Sequence, residues 1–116
     1  MRYMMIIHHD HDAMAKAPQK ELWAEWAAFN EALNKAGAGF SGGLRLSPGK
    51  EGTVVRNRGG KSDVLDGPYA DTREQLAGYF FIEVDGIEQA VEWANRCPSS
   101  KYGAIEIRPI VEQNAP

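Results

Sequence analysis

A lone cysteine, Cys97, in a chain of 116 residues excludes any internal disulfide. The longest apolar run near the start, Tyr3 to Ile7, falls far short of the roughly 20 residues that span a bilayer, so no membrane segment is expected. The opening residues also lack a secretory leader with its cleavage site, and with the single cysteine this points to the cytoplasm. Basic residues are not in excess. Thirteen Lys and Arg against 16 Asp and Glu leave a net charge of -3, which provides no general attraction to a phosphate backbone and argues against nucleic acid as a partner. Nor is there the surplus of Pro, Ser or like charge that keeps a chain disordered. With 43% hydrophobic and 25% charged residues, this one has the composition of an ordinary folded domain, taken as residues 1–116.

What is present has a clear order. Residues 2–8 are apolar at both parities, as in a central strand covered on both faces. A polar stretch from His9 to Lys16 leads to Pro18 at the start of a helix, where its missing N–H is not needed. Leu22, Trp26, Phe29 and Leu33 then recur at helical spacing as one apolar stripe, which Gly37 and Gly39 end. Phe40 to Leu46 reads as a weak, glycine-broken strand closed by the loop Ser47-Pro48-Gly49-Lys50. Thr53–Arg58 and Lys61–Leu65 flank Gly59-Gly60, the signature of a tight hairpin. Asp71-Thr72-Arg73-Glu74 has the pattern of a helix cap, so a short helical turn is expected there, ending by Gly78.

Tyr79 to Val84 is the best strand in the chain, with Phe80, Ile82 and Val84 on one face and Tyr79, Phe81 and Glu83 on the other. Asp85-Gly86-Ile87-Glu88 repeats the cap pattern before a second helix. Its expected apolar stripe is Ile87, Ala90, Val91 and Ala94, and it stops before Pro98. Ala104 to Val111 closes the chain as a strand whose Pro109 places it near a sheet edge. The order matches the split βαβ plan with an extra hairpin inserted: an α+β fold with two helices on one face of an antiparallel sheet. Tyr79 and Phe81 would then share the uncovered face. An aromatic patch of that kind marks an interface, and a homodimer packed sheet to sheet is the simplest expectation. Trp23 and Trp93, off the main stripes, are further candidates for packing on a partner, with ordinary partial burial as the alternative.

Three groups of residues can carry chemistry. The first is the turn Asp66-Gly67-Pro68-Tyr69. An Asp opening a turn normally accepts from the N–H two residues on, but here that residue is Pro68, which has none. The Asp66 carboxylate either bonds other backbone N–H groups and stiffens the turn, or faces a cleft as a base or ligand acceptor. Gly67 permits close approach of a ligand, Pro68 fixes the loop and Tyr69 offers an aromatic wall with a hydroxyl. The second group, His8-His9-Asp10-His11-Asp12, holds all 3 histidines of the chain. His8, nearest the end of the central strand, is the proton-transfer candidate, because a neighbouring Asp66 would hold its imidazole protonated to higher pH. His9 and His11 are the weak metal candidates, against the alternative of a solvated strand end. No cofactor is implied. The third group, Arg56, Arg58, Glu83, Glu106 and Arg108, reads first as surface pairing, with Arg108 as partner for Glu83 or as the binder of an anionic substrate. Cys97, at the C-terminal end of a helix, is structural.

The segment from Asp66-Gly67-Pro68-Tyr69 through Asp71-Thr72-Arg73-Glu74 to Gly78-Tyr79 resembles the DGPF signature of the YCII-related family, with Tyr69 where Phe is usual. The resemblance extends from Arg2-Tyr3-Met4 and Phe29-Asn30-Glu31-Ala32-Leu33 to Ala90-Val91-Glu92-Trp93-Ala94 and Glu106-Ile107-Arg108-Pro109-Ile110. It implies a ferredoxin-like fold that pairs into a dimeric α+β barrel. Members are mostly uncharacterised. A few YCII-like proteins act on small cyclic substrates, and some DGPF-type members are encoded with extracytoplasmic-function sigma factors. The resemblance implies no settled activity, and with the residues above it leaves two expectations: a cofactor-independent enzyme in which Asp66 and a histidine move a proton on a small cyclic or carbonyl substrate, or a non-catalytic module that senses a small molecule or docks on a protein such as a sigma factor.

Overall fold

The computed structural model describes residues 1–112. Its first strand, β1 (Arg2–Asp10), alternates strictly: Tyr3, Met5, Ile7 and His9 are buried on one face, and Arg2, Met4, Ile6, His8 and Asp10 are half-buried on the other. The remaining elements are α1 (His11–Ala15), α2 (Gln19–Lys35), β2 (Leu44–Arg45), β3 (Thr53–Arg58), β4 (Lys61–Asp66), β5 (Glu74–Glu83), α3 (Ile87–Arg96) and β6 (Gly103–Pro109). Four strands form one sheet in the order β2-β5-β1-β6, with β1 antiparallel to both neighbours. Thus β5 lies between β1 and β2, and β1 lies between β5 and β6. That interlocking is the ferredoxin-like arrangement, with β6 on the edge where Pro109 costs no ladder hydrogen bond.

Both long helices cover the same face. Phe29 and Leu33 of α2 and Ala90 of α3 pack on Tyr3, Met5, Ile7, Phe80 and Ile82, and Cys97 closes the cluster. Trp26, Phe29, Phe80 and Trp93 meet edge to face with ring centroids 5.6 to 6.1 Å apart. Each such contact contributes roughly 0.5–1.5 kcal/mol beyond simple burial. Trp93 is therefore an internal packing residue, whereas Trp23 stays 78% exposed. Helix α2 begins directly after Pro18 and ends where Gly37 takes a positive φ of 67° and the Ala38 N–H returns to the Leu33 carbonyl.

Tertiary pairing overrides local pattern in four places. Asp71–Glu74 forms no helical turn; the Thr72 hydroxyl donates to the Glu74 carbonyl, and β5 is already running at Glu74. A cap pattern acts only if helix-competent backbone follows, and here the ladder to β1 claims that backbone along its length. In α3 the buried side is Ala90 with Trp93 and Ala94, while Ile87 and Val91 are 51% and 44% exposed. Its N-cap is Gly86, with no capping bond from a side chain. The stretch after His8 continues β1 to Asp10, whose carboxylate accepts from the Asp12 and Ala13 N–H groups at 3.0 and 3.2 Å and caps α1. The weak strand after Phe40 shrinks to Leu44–Arg45.

The hairpin forms as the glycines require, with Gly59 and Gly60 at φ 58° and 79°. It is a separate two-stranded sheet, fastened at its base where the Gly67 N–H donates to the Gly52 carbonyl at 2.7 Å. The radius of gyration, 16.3 Å, exceeds the roughly 13 Å of a compact domain this size, as a projecting arm requires.

Candidate functional site

Histidines 8 and 9 sit side by side on β1 and therefore face opposite ways. His9 follows Tyr3, Met5 and Ile7 onto the helix-covered face, where only 7% of it reaches solvent. It lines a cavity of about 450 Å³ between the sheet and the helices. Met14 of α1 with Leu22 and Trp26 of α2 form one wall, and Gly43 to Arg45 with Ala77 to Phe80 form the other. Two glycines allow that second wall to close. A Cβ on Gly43 would lie 2.2 Å from the Tyr79 carbonyl oxygen, and one on Gly78 would lie 2.8 Å from that of Leu44. The short strand β2 can hug β5 only because both positions lack side chains.

The polar content of the cavity is sparse: Gln19, Asn30, Arg45 and Ser99 beside His9. Gln19 is committed, its amide donating to the carbonyls of Met14 and Ala17. His9 is not. Its buried Nδ1 has no hydrogen-bond partner among the described residues. Burial pushes the imidazole below its ordinary pKa, and the charges of His11 and Arg45 push the same way against a weaker pull from Asp10. At pH 7 His9 is neutral, with one ring nitrogen able to accept and the other to donate.

On the open sheet face His8 has a different fate. Its Nε2 lies 2.8 Å from a Glu106 carboxylate oxygen, and Arg108 donates to the other at 3.1 Å. His8 and then Arg108 hold the Glu106 carboxyl below its usual pKa. Glu83 pairs with Arg2 at 2.6 Å, and not with Arg108 as the sequence reading expected. The reason is register: Arg2 stands opposite Glu83, while Arg108 lies across β1 beside Met4. Asp66 ends β4 opposite Thr53 in the hairpin, exposed, and no side-chain hydrogen bond reaches its carboxylate among the described residues. Gly67 takes a φ of 118°, a conformation that favours glycine. Tyr69 is 80% exposed, with the Arg56 guanidinium 5.6 Å from its ring centre. None of Asp66 to Tyr69 lines this cavity.

The rings of His9 and His11 are 5.5 Å apart, and Asp10 between them is engaged by Arg73 at 2.6 Å. Among the described residues no three His, Cys, Asp or Glu side chains gather as a metal site, and no helix is long and apolar enough to cross a membrane. Burial pushes the Cys97 thiol up to about 11, consistent with its packing in the core.

Comparison with known proteins adds a family. The model of the YCII-related domain matches residues 1–114. The chain belongs to the YCII-related family. An uncharacterised protein of Rhizobium meliloti (strain 1021) is 28% identical over 117 residues, covering 95% of this chain and 92% of that one. In this YCII-related domain the structure encloses His9 and leaves His8, the sequence's proton-transfer candidate, on the open face beside Glu106. Both parities of β1 are apolar, so the pattern alone left open which face the helices cover. Trp26 was legible as part of the apolar stripe of α2, but that it lines one cavity with His9, Asn30 and Arg45 carried no local signal, because only the tertiary fold brings those residues together.

Proposed function

We propose that this YCII-related domain binds a small organic molecule in the cavity above His9, and that His9 is the group that meets it. One observation carries the reading: a buried imidazole with an unpartnered Nδ1 borders an apolar cavity of about 450 Å³. Burying a polar atom without a partner costs about 1–3 kcal/mol, so an imidazole kept in that state in the wall of a cavity points to a use beyond packing. The volume and the lining, mostly hydrophobic with few polar groups, suit a small-molecule site. A neutral histidine screened from water also suits proton transfer. It takes a proton from a carbon beside a carbonyl, holds it as imidazolium and returns it to a neighbouring position, so nothing is consumed.

The test is a fragment and metabolite screen followed by backbone and side-chain NMR, on the native protein and on His9→Gln and Asp66→Asn. The expected hits shift the resonances of His9 and Trp26, and His9→Gln weakens them or abolishes their turnover with the fold intact. Shifts confined to Asp66–Tyr69, with His9→Gln without effect, would move the site to the signature turn. We also propose that two copies pair through the open face of the sheet. The half-buried Met4, Ile6, Tyr79 and Phe81 and the 65% exposed Leu44 support this, since an apolar sheet face of that breadth is costly in water.

A further inference from the structure

The cavity has a charge as well as a shape. Among the described residues Arg45 is the one ionised side chain in its lining, and no Asp or Glu contributes to it. Arg45 is also without an acidic partner among the described residues, whereas Arg2, Arg73 and Arg108 each have one. Its placement follows from register. Arg45 pairs with Gly78, and Gly78 pairs with Ile7, so the three lie in one row on the helix-covered face. Arg45 is exposed to solvent while it contributes to the lining. The opposite wall is aromatic. Trp26 is held by edge-to-face contacts with Phe29 and Phe80, and Trp23, 78% exposed, borders the cavity without burying its own ring. A cavity whose lining holds one guanidinium, two indoles and, among the described residues, no carboxylate suits a planar anion: the fork binds a carboxylate through paired N–H donors, and the indoles take the ring.

Resting on the reading that this cavity is the ligand site, we infer that its ligand is a small aromatic carboxylate, its anionic group met by Arg45 and its ring by Trp23 and Trp26.

The probes are 2-naphthoate and 2-naphthamide, which share a shape and differ in charge. Titrations followed by NMR at low salt on the native protein, Arg45→Gln, Arg45→Lys and Trp23→Ala give the affinities. The native protein is expected to prefer the carboxylate by about tenfold or more, as a charge-assisted contact gives. Arg45→Gln should erase that preference, Arg45→Lys should keep part of it, and Trp23→Ala should weaken both probes several-fold. Equal affinities in the native protein, or a preference that survives Arg45→Gln, would overturn the anion while shifts at His9 and Trp26 still upheld the cavity. Unchanged binding in Trp23→Ala would overturn that indole's part. If neither probe moves the His9 or Trp26 resonances at millimolar concentration, the inference and the cavity reading fall together.

Discussion

His9 combines two features that rarely coexist without a use: it is buried on the core side of the sheet, and one of its ring nitrogens is unsatisfied. Burial lowers its pKa below the ordinary 6.5, so the native state binds fewer protons than the unfolded chain wherever the two titrate differently. Stability should therefore be undiminished above the unfolded value and should fall as pH drops through it toward the lower folded value. His9→Leu removes both the slope and the orphaned atom. By thermal and urea denaturation the variant should be about 1 kcal/mol more stable than the native protein at pH 7, with the difference widening at pH 5.5. A native protein that is the more stable of the two at both pH values would show that Nδ1 is satisfied in solution. The histidine was visible in the sequence as one of a pair. Which of the pair is enclosed was not, since Met4 and Ile6 on one side look as apolar as Met5 and Ile7 on the other.

At the level of elements, the parts whose stability is local were legible. Helix α2 has its stripe, with Leu22, Phe29 and Leu33 buried, and its glycine stop; the hairpin has its two glycines at positive φ. The parts whose conformation depends on a distant partner were not. Strand β5 begins at Glu74 because β1 is long enough to pair with it there, past a register shift between Ile7 and His8. Helix α3 turns Trp93 inward because Phe29 is there to receive it. Strand β2, only two residues long, depends on the backbone contact that Gly43 and Gly78 permit. Gly43→Ala should accordingly cost about 1–3 kcal/mol, because its Cβ meets backbone and core rather than a flexible chain end. Amide exchange should quicken at Leu44 and Arg45 in that variant and stay unchanged in the hairpin. Loss of protection spread evenly over the sheet would show that β2 is not a separable wall.

The whole molecule has one face of its sheet under helices and the other open, with a hairpin arm beyond. A two-stranded hairpin alone in water is marginal, and Val55 and Val64 on this one are 62% and 58% exposed. Pairing of two copies through the open face is therefore expected to be visible as a dimer by light scattering at micromolar concentration. Ile6→Glu, which puts a charge at the centre of that face, should yield monomers with the α2 and α3 core intact. A native monomer under the same conditions would remove the proposal. By itself the sequence determined what short-range chemistry determines: the class of fold, the long helix, the hairpin, the lone structural cysteine and the shortlist of histidines. Only the tertiary structure decided which histidine is enclosed, that Arg45 and the two tryptophans line the same cavity, and that Asp66 ends a strand of the hairpin outside that lining. The physical reason is that strand parity reports two faces without ranking them, and a cavity is made by residues far apart in the chain whose meeting no local pattern records.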